Sequence, residues 1–159
     1  MKVREVMTQD AKGIWITESL ADAAKAMWEN DCGILPIFKD GRKVVGMITD
    51  RDICMATAIK DRNPSSISVE EVMSGAVYSA EPEEDLNQAL TTMREHKIRS
   101  LPVLNLGGEL AGILSLNDIF RMAKPRNGKK PHIGYAEVVK TYKAICEHPL
   151  PVEQAATAT

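Results

Sequence analysis

The spacing of apolar residues changes from helical to strand-like and back again along the chain. After Ser19, apolar residues recur at i, i+3, i+4 and i+7, which predicts an amphipathic helix. Two apolar runs follow, Ile34 to Phe38 and Val44 to Ile48, and the turn residues Asp40-Gly41 between them predict a β-hairpin. A second helix is predicted from Asp50 to Lys60. The residues expected on the buried face of the first helix are Leu20, Ala23, Ala24 and Met27.

The same order of elements recurs in the second half of the chain. A helix is predicted after Asp85, followed by a strand from Leu101 to Leu104. A turn at Gly107-Gly108 leads into a strand from Leu110 to Leu114. A last helix of this half is predicted from Leu116 to about Ala123. The helix after Asp85 is expected to bury Leu86, Ala89, Leu90 and Met93.

The two halves are copies of one unit. At a fixed offset of 66 residues, residues 3–53 align with residues 69–119 without a gap, and 15 of the 51 aligned pairs are identical. Such a repeat defines the unit from which the fold is built. The chain is therefore a tandem duplication of a unit of about 60 residues.

Each unit reads as β-α-β-β-α, which predicts a mixed α/β (α+β) fold. The first strand of each unit is short and is predicted near Gly13–Ile16 and near Val77–Ala80. We assign residues 1–62 to repeat 1 and residues 67–123 to repeat 2. Because a unit this small buries too little surface to be stable alone, the two repeats are expected to pack sheet to sheet with pseudo-twofold symmetry.

A seven-residue motif ends the hairpin of each repeat. It reads Gly46-Met47-Ile48-Thr49-Asp50-Arg51-Asp52 in repeat 1 and Gly112-Ile113-Leu114-Ser115-Leu116-Asn117-Asp118 in repeat 2. A hydroxyl residue followed three positions later by an aspartate is typical of a capping box at a helix start. The same arrangement brings free backbone N–H groups, a hydroxyl and a carboxylate together, which suits a phosphate and a ribose diol. The glycines would let a ring or another backbone approach the strands closely. Both interpretations stay open at this point.

Composition argues against several classes of protein. Hydrophobic residues make up 44% and charged residues 26% of the chain, which is typical of a globular protein. A net charge of −2 and a pI near 5.9 do not favour nucleic-acid binding. No apolar run approaches the ~18 residues that span a membrane, and the N-terminus does not resemble a signal peptide. Three cysteines without a C-x-x-C pair favour a reduced, cytoplasmic protein.

The sequence contains no recognisable catalytic constellation. Nucleophile–base motifs of the Gly-x-Ser-x-Gly or His-Glu-x-x-His type are missing, so neither an enzyme nor a catalytic cofactor is predicted. Cys146, His148 and His132 lack the fourth ligand of a structural zinc site, so no metal site is predicted.

Residues 124–159 follow the second repeat. A helix is predicted from Tyr135 to Cys146, and its apolar stripe is expected to dock on the repeats or on a second copy of the chain. The alternative is that this helix binds a partner protein. Residues Pro149 to Thr159 are expected to be disordered. The stripe consists of Tyr135, Val138, Val139, Tyr142 and Ile145. A basic connector ahead of the helix contains Arg121, Lys124, Arg126, Lys129 and Lys130.

Over about residues 1–122 the chain resembles a tandem pair of CBS domains, an arrangement often called a Bateman module. The resemblance is carried by both seven-residue motifs and by four further segments. These are Val3-Arg4-Glu5-Val6-Met7-Thr8, Val69-Glu70-Glu71-Val72-Met73-Ser74, Leu35-Pro36-Ile37 and Leu101-Pro102-Val103. The resemblance implies a sensor that binds AMP, ADP, ATP or S-adenosylmethionine in clefts between the repeats. It also implies a flat, disc-like homodimer.

The resemblance assigns roles to individual residues of both repeats. Asp52 and Asp118 would hold ribose hydroxyls, and Arg99 would reach a phosphate from repeat 2 only, because its counterpart in repeat 1 is Gly33. The polar ligand-binding residues implied are Thr49, Arg51, Asp52, Arg99, Ser115, Asn117 and Asp118. The residues implied to line the adenine slots are Gly33, Ile34, Met47, Ile98, Ser100 and Ile113.

The sequence therefore favours a stand-alone, non-enzymatic regulatory protein that binds adenine-containing ligands and signals by changing the packing between its repeats. The alternative is a structural or interaction module with vestigial nucleotide sites, whose C-terminal helix contacts a partner enzyme or transporter.

Overall fold

The computed structural model describes residues 1–123 and 133–147. Repeat 1 contains a three-stranded sheet of β1 (Ile14–Trp15), β2 (Ile34–Lys39) and β3 (Lys43–Thr49), and β2 is the central strand. β1 runs parallel to β2, and β2 runs antiparallel to β3. Repeat 2 has an antiparallel pair, β4 (Ser100–Leu104) and β5 (Leu110–Ser115). The hairpins thus form where the apolar runs and turn residues predicted them.

Five α-helices complete the described part of the chain: α1 Leu20–Glu29, α2 Asp50–Lys60, α3 Leu86–His96, α4 Leu116–Met122 and α5 Tyr135–Cys146. The bounds of α2 and α5 agree with the prediction at both ends. α1 to α4 each begin with a capping box, in which a polar side chain at the N-cap and one at N3 satisfy each other's backbone N–H groups. The mixed α/β fold class is confirmed.

The first strand predicted in repeat 2 does not form. Ala80 alone makes the parallel contact, donating its N–H to Pro102 O (3.0 Å) and accepting from Leu104 N–H (2.9 Å). In repeat 1 the pairing continues, because Ile16 N–H donates to Phe38 O (3.0 Å). The residue of repeat 2 that corresponds to Ile16 at the 66-residue offset is a proline, which has no N–H to donate. The prediction of a strand near Val77–Ala80 was therefore wrong.

Each repeat receives the lead segment of the other, residues 1–8 on repeat 2 and residues 67–74 on repeat 1. Val3 N–H donates to Glu84 O (3.0 Å), which ties the N-terminus to the start of α3. Val69, the counterpart of Val3 in repeat 2, donates its N–H to Glu18 O (2.8 Å) just before α1. This reciprocal exchange is the pseudo-twofold symmetry that the duplication predicted.

Two hydrophobic cores follow from this exchange. The core of repeat 1 contains Ile67 and Val69 from the second lead segment, whereas the core of repeat 2 contains Val3 from the first; all three side chains are fully buried. Neither core is complete without a segment from the other repeat. β3 also contacts the turn between β4 and β5, because Val44 N–H donates to Gly108 O (3.1 Å).

The C-terminal helix α5 docks on repeat 2, where it packs against α3 and α4. Val138, Thr141 and Ile145 are buried on this face, which confirms docking on the repeats. Tyr135 and Tyr142 instead remain about half exposed, so only part of the apolar stripe predicted for α5 is buried. Val139 is likewise about half exposed. The edge of the stripe that carries Val138 and Ile145 packs against the repeats, and the opposite edge forms an outer face of α5.

Parts of the C-terminal prediction fall on residues that the structure does not describe. The connector residues Lys124, Arg126, Lys129 and Lys130 and the segment from Pro149 to Thr159 lie outside the described residues.

Candidate functional site

Thr49 and Asp52 form a hydrogen-bonded corner where β3 passes into α2. Thr49 donates to Asp52 Oδ2 through both its backbone N–H (2.9 Å) and its hydroxyl (2.7 Å). Asp52 N–H in turn donates to Thr49 Oγ1 (3.2 Å). The capping box inferred from the sequence is therefore present.

Ser115 and Asp118 repeat this corner where β5 passes into α4. The backbone N–H of Ser115 lies 3.1 Å from Asp118 Oδ2, and its hydroxyl donates to the same oxygen. Asp118 N–H donates to Ser115 Oγ (3.1 Å). The two halves of the chain thus build the same corner from a hydroxyl and a carboxylate.

In both corners the cap uses only one carboxylate oxygen. Within residues 1–123 and 133–147, all hydrogen bonds to Asp52 and Asp118 side chains go to Oδ2 and none go to Oδ1. Both side chains are half-buried, so Oδ1 keeps access to solvent or to a ligand. The capping role and a ligand role are therefore compatible, since each uses a different oxygen.

The free backbone N–H groups expected at the start of α2 are already occupied. Asp50 N–H donates to Gly33 O (3.1 Å), and Arg51 N–H donates to Asp50 Oδ1 (2.7 Å). Together with the bond from Asp52 N–H, this satisfies the first three donors of the helix. The expectation of free N–H groups in repeat 1 was wrong, because the Asp50 side chain supplies its own acceptor.

The two corners differ in charge. At the position of Asp50, repeat 2 has Leu116, which is buried and leaves no second carboxylate at the corner. Leu116 N–H donates to Arg99 O (2.8 Å), so Arg99 lies directly beside the second corner. Its counterpart Gly33 occupies that place in the first corner and contributes no charge. With Arg51 on the first turn of α2, repeat 1 thus presents two carboxylates and one guanidinium, whereas repeat 2 presents one carboxylate and one guanidinium.

The hairpin register brings the predicted adenine-lining residues to the same corners. Ile34 pairs with Thr49 across β2 and β3, and Ser100 pairs with Ser115 across β4 and β5. Ile98 is half-buried against the core of repeat 2. Gly33 and Arg99, which directly precede these strands, are exposed. Arg51 on the first turn of α2 and Asn117 on the first turn of α4 are also exposed.

Met47 and Ile113 link each corner to the other repeat. Ser74 N–H donates to Met47 O (3.0 Å), so the lead segment of repeat 2 reaches β3 two residues before the first corner. Thr8 and Ile113 exchange two backbone hydrogen bonds (2.8 and 2.9 Å) at the equivalent place on β5. Each corner therefore lies beside a junction between the repeats.

The motif glycines allow another backbone to approach, which settles one alternative raised by the sequence. A Cβ on Gly112 would lie 2.5 Å from Thr8 O, and one on Gly46 would lie 2.8 Å from Ser74 O. Both distances are shorter than real Cβ contacts, so any side chain would displace the lead segment. These glycines serve the junction between the repeats and not a ligand ring.

Sequence reasoning missed a groove between α1 and α2. Its volume is about 440 Å³, and among the predicted site residues it contains Gly33. Trp28 lines the groove and is 88% exposed, next to Asp31 and Asp50. The sequence signal was the tryptophan, which occurs at this position in repeat 1 only.

The described residues hold no cluster of three or more His, Cys, Asp or Glu side chains that fits a metal ion, while His132 and His148 lie outside them. Burial raises the pKa of the Cys32 thiol, which disfavours the reactive thiolate. Among the helices described, none is long and apolar enough to cross a bilayer.

Comparison with known proteins identifies relatives over most of the chain. Hypoxic response protein 1 of Mycobacterium tuberculosis is 30% identical over 143 residues, which cover 90% of this chain and 92% of the relative. A crystal structure of hypoxic response protein I with two coordinated zinc ions matches with a TM-score of 0.69 and 31% identity, over 76% of this chain and 98% of that one.

A second solved structure similar to this chain carries adenosyl compounds. It is the CBS domain pair of protein MJ0100 in complex with 5-methylthioadenosine and S-adenosyl-L-methionine, with a TM-score of 0.70 and 26% identity. The match covers 76% of this chain and 94% of that one. The family model of the CBS domain matches twice, at residues 3–58 and 69–124. The chain belongs to the CBS-domain family and contains a tandem pair of these domains.

Proposed function

We propose that the protein is a non-enzymatic, cytoplasmic regulatory module that binds an adenosyl ligand, either an adenine nucleotide (AMP, ADP or ATP) or S-adenosylmethionine, at each strand-to-helix corner. The observation that carries the proposal is the duplicated pairing of a hydroxyl with a carboxylate whose Oδ1 accepts no hydrogen bond from the described residues. An ionised carboxylate oxygen is a strong acceptor for the two hydroxyls of a ribose. The adenosyl ligands bound by the similar MJ0100 domain pair support the same chemistry.

The position of the corners supports binding in clefts between the repeats. Met47 and Ile113 each form a hydrogen bond with the lead segment of the other repeat. The corner of each repeat begins two residues after this contact. A ligand seated there contacts both repeats and favours the arrangement of the repeats that it fits best. A ligand signals only through such a difference in affinity between two arrangements.

The different charges of the corners support different ligand preferences. Arg99 beside the Ser115 corner favours a ligand with phosphate groups, such as AMP or ATP. Beside the Thr49 corner the second carboxylate, Asp50, offsets the charge of Arg51, which favours a neutral or cationic adenosyl compound, such as S-adenosylmethionine with its sulfonium charge. Both Arg99 and Asp50 are exposed, so salt weakens this discrimination.

Ligand-dependent melting tests the proposal. A ligand that binds only the folded state at 100 times its Kd adds about 2.7 kcal/mol of stability, which raises the Tm by several degrees. We expect AMP, ATP or S-adenosylmethionine to raise the Tm, and guanosine nucleotides to act as a control without this effect. An unchanged Tm with all three adenosyl compounds would contradict the proposal.

The second candidate function is an interaction module with vestigial nucleotide sites. It is favoured by the outer face of α5, where Tyr135, Val139 and Tyr142 are each about half exposed at helical spacing. On this alternative the adenosyl compounds leave the Tm unchanged, and α5 contacts a partner enzyme or transporter. Association of the chain as a homodimer belongs to either function.

A further inference from the structure

The C-terminal helix α5 lies outside both CBS domains but completes the core of the second one. The family model ends at residue 124, and α5 begins after it. Val138 and Ile145 of α5 are buried in the same core as Leu116 and Ile119 of α4. The domain that holds the second corner is therefore stabilised by an element that the family match does not cover.

α5 is connected to the second corner by way of α4. Leu116 directly follows the corner hydroxyl residue Ser115, and Ile119 directly follows the corner carboxylate Asp118. Both apolar side chains lie in the core that α5 shares. Because a protein core is close-packed, undocking of α5 removes packing partners from the residues next to the corner.

The segment from Lys97 to Arg99 forms a second connection. Lys97 Nζ donates to Glu147 O (2.6 Å), just after the last residue of α5. The last carbonyls of a helix have no partner within the helix and carry partial negative charge, so an ammonium group there stabilises α5. Two residues later, Arg99 O accepts from Leu116 N–H (2.8 Å). This segment thus joins the end of α5 to the start of α4, beside the corner.

A polar contact gives α5 one defined docked position. Arg94 donates through Nη1 to Thr141 Oγ1 (3.1 Å) and through Nη2 to Thr91 Oγ1 (2.7 Å). Thr141 is fully buried, and its hydroxyl donates to Glu137 O (2.9 Å). Because the donors of a guanidinium have fixed directions, this contact is made at a single orientation of α5. Docked and undocked α5 are therefore distinct states.

The first corner has the same backbone but not the same connection to α5. Asp50 N–H donates to Gly33 O (3.1 Å), as Leu116 N–H does to Arg99 O. The counterpart of Lys97 is Asp31, which has the same left-handed backbone (φ 48° against 53°). A carboxylate cannot donate to the carbonyl at the end of a helix. Control through α5 is therefore confined to the second corner.

We infer that docking of α5 raises the affinity of the second corner for an adenosyl ligand with phosphate groups. The docked helix holds Arg99 and α4 in the positions that such a ligand needs, so less ordering remains to be done on binding. This inference rests on the proposed function of that corner. By linkage, the ligand stabilises the docked helix by the same factor, and whatever displaces α5 weakens ligand binding.

Amide exchange without ligand tests the connection by itself. Thr141→Val removes the acceptor of Arg94, and Ile145→Ala removes buried apolar contact, so both weaken docking. Tyr142→Ala is the control, because Tyr142 lies on the outer face of α5 and is 52% exposed. We expect both docking variants to speed exchange of the Leu116 amide about fivefold or more, the lower end of measured couplings. The Asp50 amide should not change, and the control should change neither amide.

Equal acceleration of the Leu116 and Asp50 amides would overturn the inference, because the variants would then destabilise the whole protein. An unchanged Leu116 amide in both docking variants would overturn it as well, since α5 would then have no influence on the corner.

Calorimetric titration of the same chains with AMP and ATP measures the coupling. We expect Thr141→Val and Ile145→Ala to raise the Kd at the second corner about fivefold or more, and Tyr142→Ala to leave it unchanged. The site lost in Asp118→Ala identifies which Kd belongs to this corner. Wild-type affinities in both docking variants would overturn the inference and leave the proposed function standing. If the wild type binds neither compound, the proposed phosphate site fails together with the inference, so the two failures are distinguishable.

Discussion

Replacing Asp118 by alanine removes the helix cap that the structure shows at one carboxylate oxygen and the ligand contact that we propose at the other. The first is the helix cap at Oδ2, which accepts from Ser115 N–H at 3.1 Å. Loss of a cap costs roughly 0.5–2 kcal/mol of unfolding free energy. The second is the proposed contact of Oδ1 with a ribose. A hydrogen bond to an ionised carboxylate contributes about 1.5–3 kcal/mol, so the loss of one such bond weakens binding about tenfold to a hundredfold.

The chain offers a matched control for the cap. Ser19 and Asp22 form the same capping box at the start of α1, away from both corners. Ser19 N–H donates to Asp22 Oδ2 at 3.1 Å, and Asp22 N–H donates to Ser19 Oγ at 3.2 Å. Asp22→Ala therefore loses an equivalent cap without touching a proposed ligand site.

Calorimetric titration with AMP, ATP and S-adenosylmethionine, combined with urea unfolding, separates the two functions. Both variants should lose similar unfolding free energy, but only Asp118→Ala should lose affinity for the ligand at its corner. The assignment would be refuted by equal affinities of Asp118→Ala and the wild type. It would also be refuted by an equal loss of affinity in Asp22→Ala, since the ligand effect would then follow helix stability.

Three further predictions concern charge, packing and pH. Arg99→Ala should raise the Kd for AMP and ATP more than the Kd for S-adenosylmethionine, as measured by titration, and equal changes would contradict a phosphate contact. Gly112→Ala should cost about 1–3 kcal/mol of unfolding free energy, because its Cβ meets a backbone oxygen at 2.5 Å; Gly75→Ala, with open space at its Cβ, is the control in the same urea titration. Backbone hydrogen bonds hold the pKa of Glu71 and Asp85 below their usual values, so their contribution is present at neutral pH and is lost as the pH falls from about 5 to about 3. Urea midpoints across that range should fall with pH, and a flat profile would contradict this.

Local sequence signals predicted the elements well where side chains and backbone act within a few residues. The capping boxes at Ser19, Thr49 and Ser115 set helix starts because the donors and acceptors are three residues apart. The turn residues predicted the hairpins but not their register, because a shift at Ile37/Phe38 and another at Val103/Leu104 lie between each turn and its corner. The sequence therefore predicted the hydroxyl and the carboxylate of each corner, whereas the residues opposite them were implied only by the family resemblance.

Features that depend on contacts between distant residues did not follow from the sequence. The exchange of lead segments buries Val3 in repeat 2, and no periodicity near Val3 indicates which core it joins. The strand at Ala80 is missing because Pro82 cannot donate the hydrogen bond that Ile16 donates in repeat 1. The sequence alone did not show that this bond extends the strand. The side chain of Asp50 accepts a hydrogen bond from Arg51 N–H, a donor that the sequence motif alone predicted to be free. Each of these depends on which neighbour a group meets, and that is a tertiary property.

Residue-resolved NMR during titration with AMP, ATP and S-adenosylmethionine tests the central claim most directly. If the two corners bind adenosyl ligands, the largest amide shifts will occur at Thr49 and Asp52, at Ser115 and Asp118, and at the adjoining junctions between the repeats. If all three compounds leave these amides unshifted at millimolar concentration, the corners are helix caps and the protein is not an adenosyl sensor.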